Sequence, residues 1–110
     1  MTRRAFGIAG AAVLSAAPAA ATALEAGSRV LIQAEGREDY APRVVRCDAP
    51  SGLCIRDTRG TPPENPVVET PAGWRVAFES WGVVHLFEPG GSGVATDAEG
   101  TVLGPFRWSQ

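Results

Sequence analysis

The sequence predicts a small all-β domain, an antiparallel β-barrel or sandwich of about seven or eight short strands. Three observations carry that prediction. Aromatic and β-branched residues gather in short runs, and turn-forming Gly, Pro, Asn and Asp separate those runs roughly every 8 to 12 residues. Beyond residue 23, no run sustains the apolar period of about 3.6 residues that a helix requires.

The chain opens on an export signature. Met1 to Arg4 carries two arginines, Ala5 to Ala20 is an Ala- and Gly-rich apolar run, and Ala21-Thr22-Ala23 supplies the small-x-small cleavage pattern. Residues 1–23 are therefore expected to be a cleavable signal peptide, leaving residues 24–110 as one domain. The apolar run is too short and too weakly hydrophobic for a permanent membrane anchor, which needs about 20 predominantly apolar residues. Thr2-Arg3-Arg4-Ala5-Phe6 resembles the twin-arginine export signal, although Gly7 and Ile8 depart from the Leu and Lys that commonly follow. A general secretory signal fits the same residues. Either route makes the mature domain periplasmic or secreted.

Arg29-Val30-Leu31-Ile32-Gln33-Ala34 is the first strand-like run, followed by the polar connection Glu35 to Pro42. Arg43 to Cys47 and Leu53 to Asp57 read as arms of a hairpin around Ala49-Pro50-Ser51-Gly52, because Pro50 presets a type I turn and Gly52 tolerates positive φ. A loop of these four residues opposes Cys47 to Cys54, within disulfide reach, and an oxidising compartment closes the bond. Six intervening residues match neither a redox pair nor a zinc-ligand spacing.

Pro62, Pro63, Pro66 and Pro71 make the next stretch a stiff loop, with Val67-Val68-Glu69 as a short edge strand. Pro63 and Pro66 have the spacing of proline-rich recognition segments, which makes them candidate binding residues. Gly73 to Phe78 and Val83 to Glu88 form the densest hairpin, with Glu79-Ser80-Trp81-Gly82 as a type I turn and Gly82 left-handed. Gly90-Gly91-Ser92-Gly93 is a turn. It lacks the second glycine of a nucleophile elbow and the lysine of a phosphate loop, so no cofactor is implied. Gly93 to Thr96 and Thr101 to Leu103 follow as strands joined at Asp97 to Gly100; Gly104-Pro105 then bends the chain before Phe106-Arg107-Trp108.

Gly73-Trp74-Arg75-Val76 followed by Trp81-Gly82-Val83 resembles bacterial SH3-type domains, with tryptophan and glycine in the reverse order and a strand's worth of sequence missing. Small exported lysozyme-inhibitor barrels are similar in size, compartment and single disulfide. Both likenesses bear on fold alone.

Charge narrows the function. Cleavage leaves eight arginines against 12 carboxylates, a formal charge of −4, and the arginines are spread along the sequence with no run of them. This disfavours nucleic acid as a partner. The absence of lysine removes Schiff-base chemistry and the phosphate-loop lysine together. With one His, one Tyr and both cysteines bonded, acid–base chemistry is what is left, and no metal site is expected from one histidine.

A three-residue turn closure pairs Glu79 with Val83, Ala77 with His85 and Arg75 with Phe87. Trp74, Val76 and Phe78 then share the core face with Val84 and Leu86, while His85 lies outside with Glu79 and Arg75 as diagonal neighbours. Trp81 falls at the hairpin tip, where an aromatic suits a protein contact. Two functions follow as expectations. One is an exported noncatalytic binding protein (an inhibitor, accessory subunit or envelope component) that meets another envelope or extracellular protein through Trp81 and the Pro63 and Pro66 segment. The alternative is a small acid–base enzyme using His85 with Glu79.

Overall fold

The computed structural model describes residues 23–57 and 63–110. The stretch up to Thr22, expected to be a signal peptide, lies outside the described residues together with Pro62. Eight strands run β1 (Leu31–Gln33), β2 (Arg43–Arg46), β3 (Leu53–Arg56), β4 (Glu64–Thr70), β5 (Gly73–Phe78), β6 (Val83–Glu88), β7 (Ser92–Asp97) and β8 (Val102–Ser109). All pair antiparallel, in the order β1-β8-β7-β6-β5-β4-β3-β2. The sheet curls into a half-barrel. Its end strands are joined by single bridges, Arg29 to Arg43 and Ile32 to Tyr40, and by hydrogen bonds such as Val30 N–H to Pro42 O at 2.9 Å.

The fold class is the one the residue pattern predicts, and among the described residues the one helical element is a single 3-10 turn at Glu79–Trp81. The buried interior is built from alternate residues of the strands: Val30, Ile32, Val44, Ile55, Val67, Val76, Phe78, Phe87, Phe106 and Trp108. Edge-to-face ring contacts thread it lengthwise, Trp74 to Trp108 to Phe87 to Phe106. Gly93 makes room for this column. It faces Phe106 across β7 and β8, and a Cβ at that position would overlap the Phe106 ring.

The Cys47–Cys54 disulfide is present, with Cα atoms 5.9 Å apart. The expected turn is also present, since Gly52 N–H bonds to Ala49 O at 2.8 Å and Gly52 takes φ +79°. The pairing differs from the expected one. Cys47 N–H bonds to Gly52 O while Cys54 faces Val45, so the bond joins diagonal rather than opposed positions. The loop closes two residues earlier on its C-terminal side because Gly52 supplies the first ladder acceptor after Cys47; the Ser51 hydroxyl also donates to Val67 O of β4. The disulfide closes an eight-residue loop. A Cys47→Ser/Cys54→Ser variant should lose about 2 kcal/mol of unfolding free energy, measured by urea denaturation, with reductant producing the same loss in the parent chain.

Two other expectations are corrected. Val67-Val68-Glu69 is not an edge strand in a loop but the centre of the seven-residue β4, which pairs with β3 through Glu64 to Pro66 and with β5 through Val67 to Thr70. Pro66 is tolerated because it sits where the strand changes partners, at the end of the β3 ladder. Gly104-Pro105, expected to bend the chain after a strand ending at Leu103, lies within one longer strand. β8 runs through both residues, and a register shift against Ala95 and Thr96 absorbs Leu103 as an extra residue.

Candidate functional site

The site forms where the β5–β6 hairpin, the β1–β2 connection and the β7–β8 bulge meet at one end of the half-barrel. Glu79–Trp81 form the 3-10 turn, closed by Gly82 at φ +66° with its N–H on Glu79 O. Because the turn uses four residues, Phe78 faces Val83, Ala77 faces Val84, Val76 faces His85 and Arg75 faces Leu86. The left-handed Gly82 was legible; the pairing was not. It is offset by one from the expected register, and a one-residue offset turns every β6 side chain to the opposite face.

His85 therefore lies on the interior face. Its ring centroid is 4.8 Å from Phe106, 5.1 Å from Phe78 and 6.0 Å from Phe87. Val84 and Leu86, expected in the core, take outward positions, and Phe87 replaces them at 0% exposure. The expected trio is not assembled. Arg75 is exposed on the outer face and Glu79 is exposed in the turn, while the imidazole points among phenylalanines. Burial lowers the His85 pKa from 6.5 to about 4, so the ring is neutral at physiological pH. Its Nδ1 is buried with no hydrogen-bond partner among the described residues.

A cleft of about 480 Å³ opens above this ring. Ile32, Phe78, His85, Ala95 and Phe106 line it, and Glu35, Arg37, Glu38, Trp81 and Leu103 border it. Trp81 is 51% exposed, yet it is not a loose tip. Its indole N–H donates to the carboxylate of Asp57, a residue only 2% exposed at the end of β3. That bond holds a large aromatic at the border in one orientation. Apolar exposure continues from Leu103, 54% exposed at the border, to Val102 outside the cleft at 65%.

Pro63 and Pro66, the other candidate binding residues, are exposed but engaged in the sheet. Pro63 O accepts the Asp57 N–H at 2.7 Å, and Pro66 faces Cys54. Neither residue lines the cleft. Among the described residues, no group of three or more His, Cys, Asp or Glu could hold a metal ion.

Sequence reasoning missed two features. The first is the cleft itself, whose lining comes from β1, β5, β6, β7 and β8 and becomes contiguous only when the sheet curls. The second is a row of arginines. The chain spreads them apart, but strand pairing sets Arg29 beside Arg43 and Arg43 beside Arg56. The even spacing of these three residues, 14 and 13 positions apart, is the one signal available in the sequence. No protein family, curated protein or solved structure matches the chain.

Proposed function

We propose that the protein is an exported, noncatalytic binding protein of the cell envelope, an inhibitor, accessory subunit or envelope component that engages another envelope or extracellular protein. The observation that carries this reading is the cleft: a ring-lined floor with Trp81 fixed at its border. Its size falls in the range of roughly 300 to 1,000 Å³ typical of binding clefts. Its occupant is an apolar side chain of a protein. A partner larger than the cleft is favoured because exposed apolar surface extends beyond it to Val102, and a free small ligand would leave that surface wet.

The indole of Trp81 is already immobilised by Asp57, so binding loses little rotamer freedom there. Export is supported by the N-terminal residues 1–23 and by a disulfide compatible with an oxidising environment. The alternative, acid–base catalysis by His85 with Glu79, would need a carboxylate within reach of a ring that Phe78, Phe87 and Phe106 surround.

Site-specific photocrosslinking tests the reading, with the photoreactive residue placed at Val102. One saturable protein adduct is expected. Leu103→Asp should weaken it by about 2 kcal/mol or more, as for a contact at the heart of an interface, whereas Val68→Asp on the exposed side of β4 should leave it unchanged. Leu103→Asp is a cleaner probe than Trp81→Ala, which also removes the bond to Asp57. Identical adducts in the parent chain and in Leu103→Asp would sink the proposal.

A further inference from the structure

The arginine row on the other side of Tyr40 is a second built feature, and it does not depend on the cleft reading. Arg29, Arg43 and Arg56 are direct cross-strand neighbours on exposed positions of three adjacent strands or extensions. Directly opposed side chains in antiparallel strands have Cβ atoms about 5 Å apart, and like charges so placed oppose folding. The chain as a whole is acidic, with a formal charge of −2, so this concentration of positive charge is local. Stability alone gives no reason for it.

The outer two guanidiniums are positioned by neighbours. Arg56 pairs with Glu64 at 2.6 Å, and Arg29 Nη1 donates to Ala41 O at 2.7 Å. The central one is different: among the described residues, the Arg43 side chain makes no hydrogen bond or ion pair. The three border a recess of about 350 Å³ whose other walls are Tyr40, Pro42 and Asp57. Asp57 and Glu64 supply two carboxylates against three cations, which leaves the row net positive. A guanidinium offers a planar fork of donors that matches the spacing of oxygens on a phosphate, sulfate or carboxylate.

We propose that this row is an oxyanion site, in which Arg43 grips the ligand and Arg29 and Arg56 flank it. The same chemistry serves a free tetrahedral anion or a carboxylate carried by a partner. Tyr40 lines both this recess and the apolar cleft, and the Trp81 to Asp57 bond spans them, so one partner with adjacent apolar and acidic groups can reach both.

The test is two-dimensional NMR of the full-length chain, titrated with inorganic phosphate, with acetate, and with chloride at matched ionic strength. Phosphate or acetate should shift the amides around Arg43 saturably while chloride does not. Arg43→Gln should weaken that binding by about tenfold or more, the loss of one charge-assisted fork, whereas Arg107→Gln on β8 should bind like the parent. Preference for phosphate identifies a tetrahedral anion, and preference for acetate identifies a carboxylate. Equal responses to all three salts, or parental affinity in Arg43→Gln, would overturn the proposal. If Arg43→Gln does not fold, Arg29→Gln is read in its place by the same criteria. Failure here leaves the Val102 crosslinking result untouched, so the two readings fall separately.

Discussion

Phe87→Ala is expected to cost about 3 to 5 kcal/mol of unfolding free energy, in the range for removing a fully buried phenylalanine. The residue is 0% exposed and touches three rings, with centroids 5.2 Å from Phe106, 5.6 Å from Trp108 and 6.0 Å from His85. Removing it breaks the interior column in the middle. The sheet cannot close over the void, because β6 is paired along both sides, to β5 and to β7. Against a typical total of about 5 to 15 kcal/mol for a domain, the variant sits near the threshold of unfolding at ambient temperature. Urea denaturation followed by tryptophan fluorescence measures it, since Trp108 reports directly on the lost neighbour. Phe87→Leu, which preserves most of the volume, should cost about 1.5 kcal/mol. A loss under about 1 kcal/mol in the alanine variant would mean that the column is not the core.

Acidification should destabilise the protein through His85. The folded state holds the imidazole neutral down to about pH 4, whereas the unfolded chain protonates it near the ordinary value of 6.5. Between those values the unfolded state binds the extra proton, so stability falls as pH falls. The contribution is fully present above pH 6.5 and gone below pH 4. At about 1.4 kcal/mol per pH unit for one proton, the whole window removes about 3 kcal/mol. Carboxylates titrate in the same range, so the measurement is a comparison: urea unfolding of the parent chain and of His85→Phe at pH 4, pH 6.5 and neutral pH. The parent should lose about 3 kcal/mol more than the variant across the window. At neutral pH His85→Phe should be as stable or more so, because a phenyl ring replaces a buried nitrogen that has no partner among the described residues. Parallel pH dependence in the two proteins would place His85 in water.

The sheet's elements were legible because glycine and proline mark most of its turns: Pro50 and Gly52, Gly82, and Asp97 to Gly100 all act where their backbone preferences place them. Registers were harder. In β6 every side chain from Val83 to Phe87 is apolar or aromatic, apart from a histidine that behaves as one of the rings, so the sequence offers no polar face to fix the alternation. The extra residue taken up by the 3-10 turn then decided which set went inside. Pro66 misled for a related reason. Proline argues against a central strand, but β4 changes partners at that point and does not need the missing donor there. The candidate site inherited these errors. The sequence marks His85 and Trp81 as unusual residues, but their surroundings depend on pairings between residues far apart in the chain.

The bridge between the two end strands bears on the order of assembly. β2 to β8 form a meander in which each strand meets its predecessor, and such pairings close short loops. β1 is the exception. Leu31 pairs with Ser109 at the far end of the chain, while Arg29 on the other side meets Arg43. Until the final residues have emerged, β1 lacks its β8 neighbour and the growing sheet keeps a naked edge, open to pairing with another chain. The last step of assembly therefore waits on Trp108 and Ser109, whose pairing with Ile32 and Leu31 seals that edge.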